Sequence, residues 1–392
     1  MAEAEAMNRY DERDNVQGRL ELAPETPAWK EYYNKHQNLK ETDLENQRLH
    51  RIPVGHPADN LAAEAARLVM RNLGREDIVD GPVAPTRIDI TPERAAEKIR
   101  GWAEYLGIDI VRIGPLDPAY VYSHKGRTYG REGESGEPKV GTPINLTHKH
   151  AIVLVKGLEK ELLKGAPKKQ VMFTIFRAYS QLANTAVTLA NYIRMMGYPA
   201  RAHILTNYQV IVSPIAVDAG VGEFGRSGIV ISREFGQAMK MAVVTTDMPI
   251  VYDQRNNFKV ENICRNCRIC AENCPAGAIN HGDKKSIRGA ERYPFNAEAC
   301  FKVWKTTGTD CGVCIISCPF SRDPSLCRSA DVNQLSPADG LTEELSEKIE
   351  RMRSESHDPD ARLHYDWIEE QPQVWKKYRY GKVKTEKERQ AR

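Results

Sequence analysis

Apolar positions recur along the middle of the chain with two different periods. In "ITPERAAEKIRGWAEYLG", Ile99, Trp102, Ala103 and Leu106 repeat at helical spacing, Thr91 stands at the N-cap, Pro92 takes the first helical position and Gly107 ends the run. A longer helix is predicted from about Lys168 to Met196, closed by Gly197, and an earlier one after Asp59, with Leu61, Ala65, Leu68, Val69 and Leu73 near one face. Short β-branched runs predict strands at "IDIVRIGPL", "HAIVLV", "ARAHIL", "QVIVSPIAV", "GIVIS" and "MAVVTT". Mixed helices and strands over residues 85–255 therefore predict an α/β or α+β core. Ahead of it, residues 1–84 read as a polar wrapping arm with short helices. Beyond it come a cysteine-rich unit over 256–328 and a C-terminal helical extension over 329–392. In that extension, aromatic "YDWIEEQPQVWKKYRYGK" precedes a basic tail expected to fray.

Composition narrows this picture only a little. The chain has 392 residues, 41% hydrophobic and 28% charged, with no apolar run near the roughly 18 residues that span a bilayer. No transmembrane segment is expected. A net charge of +3 from 56 basic and 53 acidic residues carries no polyanion signal, so no nucleic acid is expected as a partner. The opening "MAEAEAMNRYDERDN" has neither an apolar core nor an arginine pair. A cytoplasmic protein is the expectation, with an exported mature form that has lost a leader as the alternative.

The segment "VDAGVGEFGRSG" places Gly220, Gly222 and Gly225 in the G-x-G-x-x-G pattern of a dinucleotide site. Such a site needs a helix after the glycines to face the pyrophosphate, yet "GIVIS" follows and reads as a strand. The segment is therefore a strand-to-strand loop, with no dinucleotide expected.

All nine cysteines lie between Cys264 and Cys327, which points to metal rather than disulfides. "CRNCRICAENCP" puts Cys264, Cys267, Cys270 and Cys274 at the spacing of a bacterial ferredoxin half-site, in which the fourth cysteine serves a second cluster. "CGVCIISCP" supplies Cys311, Cys314 and Cys318, with Cys300 upstream. Cross-ligation assigns Cys264, Cys267, Cys270 and Cys318 to one [4Fe–4S] cluster and Cys274, Cys300, Cys311 and Cys314 to another. Zinc also accepts four thiolates, but the crossed repeat of the spacing favours iron and sulfide. Cys327 is left as a buried free thiol. His148 and His150 lack a matched third ligand and read as a strand entry. Two clusters carry single electrons, so the chemistry lies elsewhere in the chain.

The segment from Ile88 to Pro324 resembles the corrinoid-dependent reductive dehalogenases. The resemblance rests on "ITPERAAEKIRGWAEYLGIDIVRIGPLDPAYVYSHKGR", "AYSQLANTAVTLANYIRMMGYPARAH", "DAGVGEFGRSG", "TTDMPI" and the cysteine pattern. It implies a nitroreductase-like core holding a base-off cobalamin, with Gly220, Gly222, Gly225, Arg226 and Ser227 against the cofactor. It further implies that Tyr179 is the proton donor, Lys240 its electrostatic partner and Asn207 a pocket residue that orients substrate, while Trp304 lines the pocket or covers a cluster. Tyrosine is a weak acid near neutrality, and an adjacent ammonium eases proton donation by stabilising the phenolate. Read from their own surroundings, Tyr179 is a core tyrosine on the apolar face of its helix, Lys240 a snorkelling lysine and Asn207 a loop residue.

The implied partners are an organohalide substrate and an external low-potential electron donor, with peripheral membrane association through a separate anchor protein left open. Two other readings stand beside this one. The epoxyqueuosine reductases resemble the chain in glycine loop and clusters, but their D-S-x-P-V-x-E segment is missing here. A non-catalytic iron–sulfur carrier or corrinoid activator would need the clusters and no acid.

Overall fold

A computed structural model of the chain describes residues 9–48, 57–129, 134, 136–255, 258–327 and 342–356. Five of the β-branched runs become β1 (Ile110–Pro115), β2 (His150–Gly157), β3 (Ala200–His203), β5 (Val230–Ser232) and β6 (Met239–Thr246), and the glycine segment, expected to be a loop, contributes β4 (Gly222–Phe224). Four of them form one sheet in the order β1-β2-β6-β3, with every neighbouring pair antiparallel. Successive side chains on a strand point to opposite faces. Ile152, Leu154, Ala242 and Val244 thus join the core on one face, and Ala151, Val153, Val155 and Val243 the core on the other. β4 and β5 pair as a separate two-stranded ribbon.

Helices cover both faces. The N-terminal arm contributes α1 (Val16–Leu20), α2 (Pro27–Lys35) and α3 (Gln37–Arg48), followed by α4 (Pro57–Leu73), α5 (Glu76–Val79) and α6 (Pro92–Tyr105). In α6 the Thr91 side chain accepts from the Arg94 N–H, and Gly107 adopts φ 92° just beyond the end, as the capping residues predict. After α7 (Lys160–Leu163), the 27-residue α8 (Lys169–Met195) lays Leu182, Ala183, Ala186 and Ala190 over the first face. The second face is covered by α9 (Val212–Asp218), whose Ile215, Ala216 and neighbouring Ala219 meet the strands.

Two expectations change here. The β-branched run "QVIVSPIAV" was expected to be a strand, but its second half is α9. Pro214 sits within the first turn, where a missing N–H costs no intrahelical bond, and burial against the sheet overrides the β-propensity. On α4, Leu61, Leu68 and Val69 point outward, at 70%, 53% and 56% exposure, while Ala63 and Met70 are buried. The side turned to the core carries Ala63, Met70 and the partly buried Leu73.

The cysteine-rich unit follows as α10 (Val260–Cys267), α11 (Ile269–Glu272), β7 (Lys285–Ile287), β8 (Ala290–Arg292), α12 (Ala297–Thr307), α13 (Val313–Ile316) and α14 (Pro319–Arg322). A further helix spans Glu343–Ser356. The aromatic segment and basic tail beyond it lie outside the described residues. The N-terminal arm is fastened to both parts of the chain. Glu12 accepts from the Gly126 N–H and the Arg127 side chain, both at 2.8 Å, and Arg19 donates to Glu298 at 2.6 Å. Among the described residues no helix is long and apolar enough to cross a membrane.

The sheet and α9 meet at Gly114, where an added Cβ would stand 2.9 Å from the Ala219 Cα. Gly114→Ala is expected to destabilise the core by about 1–3 kcal/mol through overpacking, read as a lower midpoint in chemical denaturation.

Candidate functional site

The backbone of the cysteine-rich unit brings its thiols into two groups. Cys264, Cys267, Cys270 and Cys318 line one small cavity together with Arg226 and Gln237. Cys274, Cys300, Cys311 and Cys314 lie near enough to act on one another's charge. The two groups adjoin, since the charge of Cys314 also acts on Cys270. Burial pushes the thiols up, Cys264, Cys300 and Cys314 to about 12 and Cys311 to about 11. Four buried sulfur donors around one space form a soft ligand set of the kind that holds iron and sulfide, and binding would draw off their protons. Among the described residues no three His, Cys, Asp or Glu side chains converge as a single-ion site. Cys327 is wholly buried, with Sγ 3.5 Å from the Ser232 carbonyl. His148 and His150 bond Thr245 and Tyr252, at 2.8 and 2.6 Å.

The glycine loop is the tip of the β4–β5 ribbon and faces the cysteine-rich unit. Glu223 of β4 accepts the N–H groups of Phe258, Lys259 and Val260, at 2.5, 3.3 and 3.0 Å, so a carboxylate caps the N-terminus of α10. Arg226, 1% exposed, donates to the carbonyls of Cys264, Arg265, Asn280 and Gly282. Backbone packing requires glycine at two positions and side-chain packing crowds a third. An added Cβ would collide with the Gln254 carbonyl at Gly220, with the Ile231 carbonyl at Gly222 and with the Ile231 side chain at Gly225. Only Gly228, of the glycines in this loop, has open space in the Cβ direction. Ser227 is buried, its Oγ 3.4 Å from the Ile229 N–H that donates to it. The side-chain directions of Gly220, Gly222 and Gly225 and the guanidinium of Arg226, the residues expected against the corrinoid, all face protein groups.

Tyr179 of α8 and Lys240 of β6 meet on the α8 face of the sheet, with Nζ 5.4 Å from the ring centroid. The register explains why Lys240 is available. It stands opposite Lys156 on β2, and Lys156 is held by Asp109 at 2.8 Å. Among the described residues neither Lys240 Nζ nor the Tyr179 hydroxyl has a hydrogen-bond partner. Tyr179 and Cys314 border one apolar cluster of Val171, Ile175, Ala178, Ala238 and Ile315, and the charge of Lys240 acts on Cys314. An acid, a cation and one cysteine quartet are therefore neighbours. Trp304 lies on α12 beside Phe301, ring centroids 6.1 Å apart.

Asn207, expected to orient substrate, lies in a network of protein hydrogen bonds. Its Oδ1 accepts from Lys125 Nζ at 3.0 Å and from Arg201 at 3.1 Å, and its Nδ2 donates to the Gly74 carbonyl and to Glu76, both at 2.9 Å. All its polar capacity is used in a buried network. Sequence reasoning missed the next residue: Tyr208, with Tyr129, is coupled electrostatically to Tyr179 around the buried Arg127. Burial pushes Tyr129 up to about 12 and Tyr208 well above the ordinary tyrosine range. Only their aromatic character was visible beforehand.

Residues 263–321 match a family described as a 4Fe-4S dicluster domain. Over 318 residues the chain is 27% identical to a tetrachloroethene reductive dehalogenase of Desulfitobacterium hafniense, a stretch covering 71% of this chain and 57% of that protein. The catabolic reductive dehalogenase NpRdhA superposes with a TM-score of 0.70 at 25% identity, covering 92% of this chain and 48% of that one. A reductive dehalogenase described as suggesting a mechanism for B12-dependent dehalogenation gives 0.60 at 26% identity, covering 82% and 42%. The chain is a relative of the reductive dehalogenases. It spans about half the length of the relatives it matches. A more distant relative is the epoxyqueuosine reductase of Lactococcus garvieae, 28% identical over 114 residues, which are 28% of this chain and 31% of that protein.

Two outcomes follow from the site. Cys300→Ser should lower the iron and acid-labile sulfide bound after anaerobic reconstitution, whereas Cys327→Ser should leave both unchanged. The Glu76 carboxyl is pushed up by burial but held down to about 2 by Arg201, Asn207 and Lys125. A depressed folded value means stability that is present above the unfolded value and lost as pH falls through about 2. Glu76→Gln should therefore flatten the acid unfolding curve followed by circular dichroism between roughly pH 4.5 and 2, an effect of about 3 kcal/mol.

Proposed function

We propose that the chain carries out reductive dehalogenation, in which an organohalide takes up two electrons and one proton and releases halide. The observation that carries this reading is the Lys240 ammonium over the Tyr179 ring, beside Cys314. The fit of eight cysteines to two quartets supports two [4Fe–4S] clusters as the electron path, fed by an external low-potential donor. Relatedness to a B12-dependent dehalogenase supports a base-off corrinoid as the second cofactor. When bound, that cofactor supplies the metal at which the carbon–halogen bond is broken.

The chain's own residues supply the proton and the surroundings. Tyr179 holds the proton on its hydroxyl, and with no protein partner for that hydroxyl among the described residues, the proton is directed to a bound substrate. Lys240 stabilises the phenolate left behind, and the apolar cluster beneath the ring strengthens that interaction by keeping water away. Asn207 acts at one remove, by fixing the Glu76–Arg201–Lys125 network beside Tyr208.

Electron paramagnetic resonance on protein reconstituted with iron, sulfide and hydroxocobalamin tests the cofactor set. A base-off cobalt(II) signal beside two reduced [4Fe–4S] clusters is expected, and clusters without bound corrinoid would favour an electron carrier. Tyr179→Phe should then lower turnover of a halogenated phenol or ethene by roughly 10²–10⁴-fold with both signals intact. Unchanged turnover would remove Tyr179 from the chemistry.

A further inference from the structure

Two cations line the cavity of the first quartet, the exposed Arg268 and the buried Arg226, and every hydrogen-bond partner of Arg226 is neutral. Arg226 Nε donates to the Cys264 carbonyl at 2.9 Å, one terminal nitrogen to the Asn280 and Gly282 carbonyls at 2.9 and 2.7 Å, and the other to the Arg265 carbonyl at 3.0 Å. Its guanidinium carbon lies 4.0 Å over the Tyr293 ring. Among the described residues no carboxylate pairs with it. The nearby Glu261 is engaged by Lys284 and by the Tyr293 hydroxyl, the latter at 2.8 Å. The contrast with Arg353 is informative. That residue also reaches this quartet, donating to the Cys267 carbonyl at 2.7 Å, but it is ion-paired with Glu272 and Glu350.

A guanidinium that is 1% exposed and carries no counter-charge is expensive to bury. Four carbonyls satisfy its N–H groups and leave its charge unbalanced. The group in the same cavity that balances it is the quartet itself once loaded, since four thiolates around an iron–sulfur cluster are anionic and gain one further negative charge on reduction. We propose that Arg226 is the internal counter-ion of the cluster held by Cys264, Cys267, Cys270 and Cys318, and that its charge raises the reduction potential of that cluster. The inference rests on the iron–sulfur reading of the quartet. It gives Arg226 a role at a cluster, which the sequence reading did not foresee.

Gln237 belongs to the same cavity. It is 1% exposed, and its Oε1 has no hydrogen-bond partner. A carboxylate at that position would neutralise Arg226 with almost no change of shape. The second quartet has a cation nearby in Lys240, but that side chain is only half-buried, so solvent screens it more than Arg226.

The step concerned is a one-electron reduction of the cluster by an external donor, dithionite in the experiment, with no proton or bond transferred. A redox titration of the full reconstituted chain, followed by electron paramagnetic resonance, reads both clusters at once. Arg226→Met should make reduction of one cluster at least tenfold less favourable, a downward shift of about 59 mV or more, and leave the other midpoint in place. Arg226→Lys, which keeps the charge and loses the four-carbonyl clamp, should shift that midpoint less than Arg226→Met. Equal shifts in the two variants, equal movement of both clusters, or no movement would overturn the proposal. If Arg226→Met does not fold, Gln237→Glu at pH 8 is read instead. The same midpoint should fall, and an unchanged one would overturn the inference. A wild-type chain that shows no reduced [4Fe–4S] signals would instead remove the iron–sulfur reading itself.

Discussion

The packing of α8 across β2 and β6 is the contact on which the remaining structure depends. Ile152, Leu154, Ala242 and Val244 take one face of the sheet because a strand repeats every second residue, and Leu182, Ala186 and Ala190 meet them from the helix. The same alternation that buries Ala242 and Val244 places Lys240 on the α8 face, two residues earlier. The helical repeat that buries Ala178 and Leu182 sets Tyr179 at the rim of this packing, partly buried. Site geometry and core packing are thus one construction. A slip of β6 by one residue would turn Lys240 away from Tyr179 and carry Val243 and Val244 to the wrong faces together.

The elements that were legible in the sequence are those whose signals are local. Thr91, Pro92 and Gly107 bound α6 through contacts within a few residues of themselves, and the cysteine spacing reflects ligand geometry along short loops. The segment that became α9 was misread because Val210, Ile211 and Val212 favour a strand, while the sheet that buries Ile215 and Ala216 is brought to it by distant residues. The face of α4 was misread for a related reason. Hydrophobicity pointed to Leu61, Leu68 and Val69, but tertiary packing turns the side with Ala63 and Met70 to the core.

The site was legible to a similar depth. The Tyr179–Lys240 pair was suggested by resemblance, and the structure brings the two within cation–π range. The buried network around Asn207 was not legible, because Glu76 and Arg201 had no sequence signal linking them to it. Arg226 was singled out for its glycine-rich neighbourhood. Its partners begin 38 residues further along the chain, at a separation that motif spacing does not reach.

The β4–β5 ribbon has a consequence for how the metal-binding unit is made. Glu223 caps α10, and Arg226 ties together the backbone at Cys264, Arg265, Asn280 and Gly282. Those contacts are made by protein groups alone. In small zinc modules the metal supplies the folding energy, whereas here the α/β core also clamps the backbone of the first cysteine loop. The first cysteine loop is thus moored to the α/β core through its backbone, and a change in the ribbon reaches the cysteines without touching a thiol.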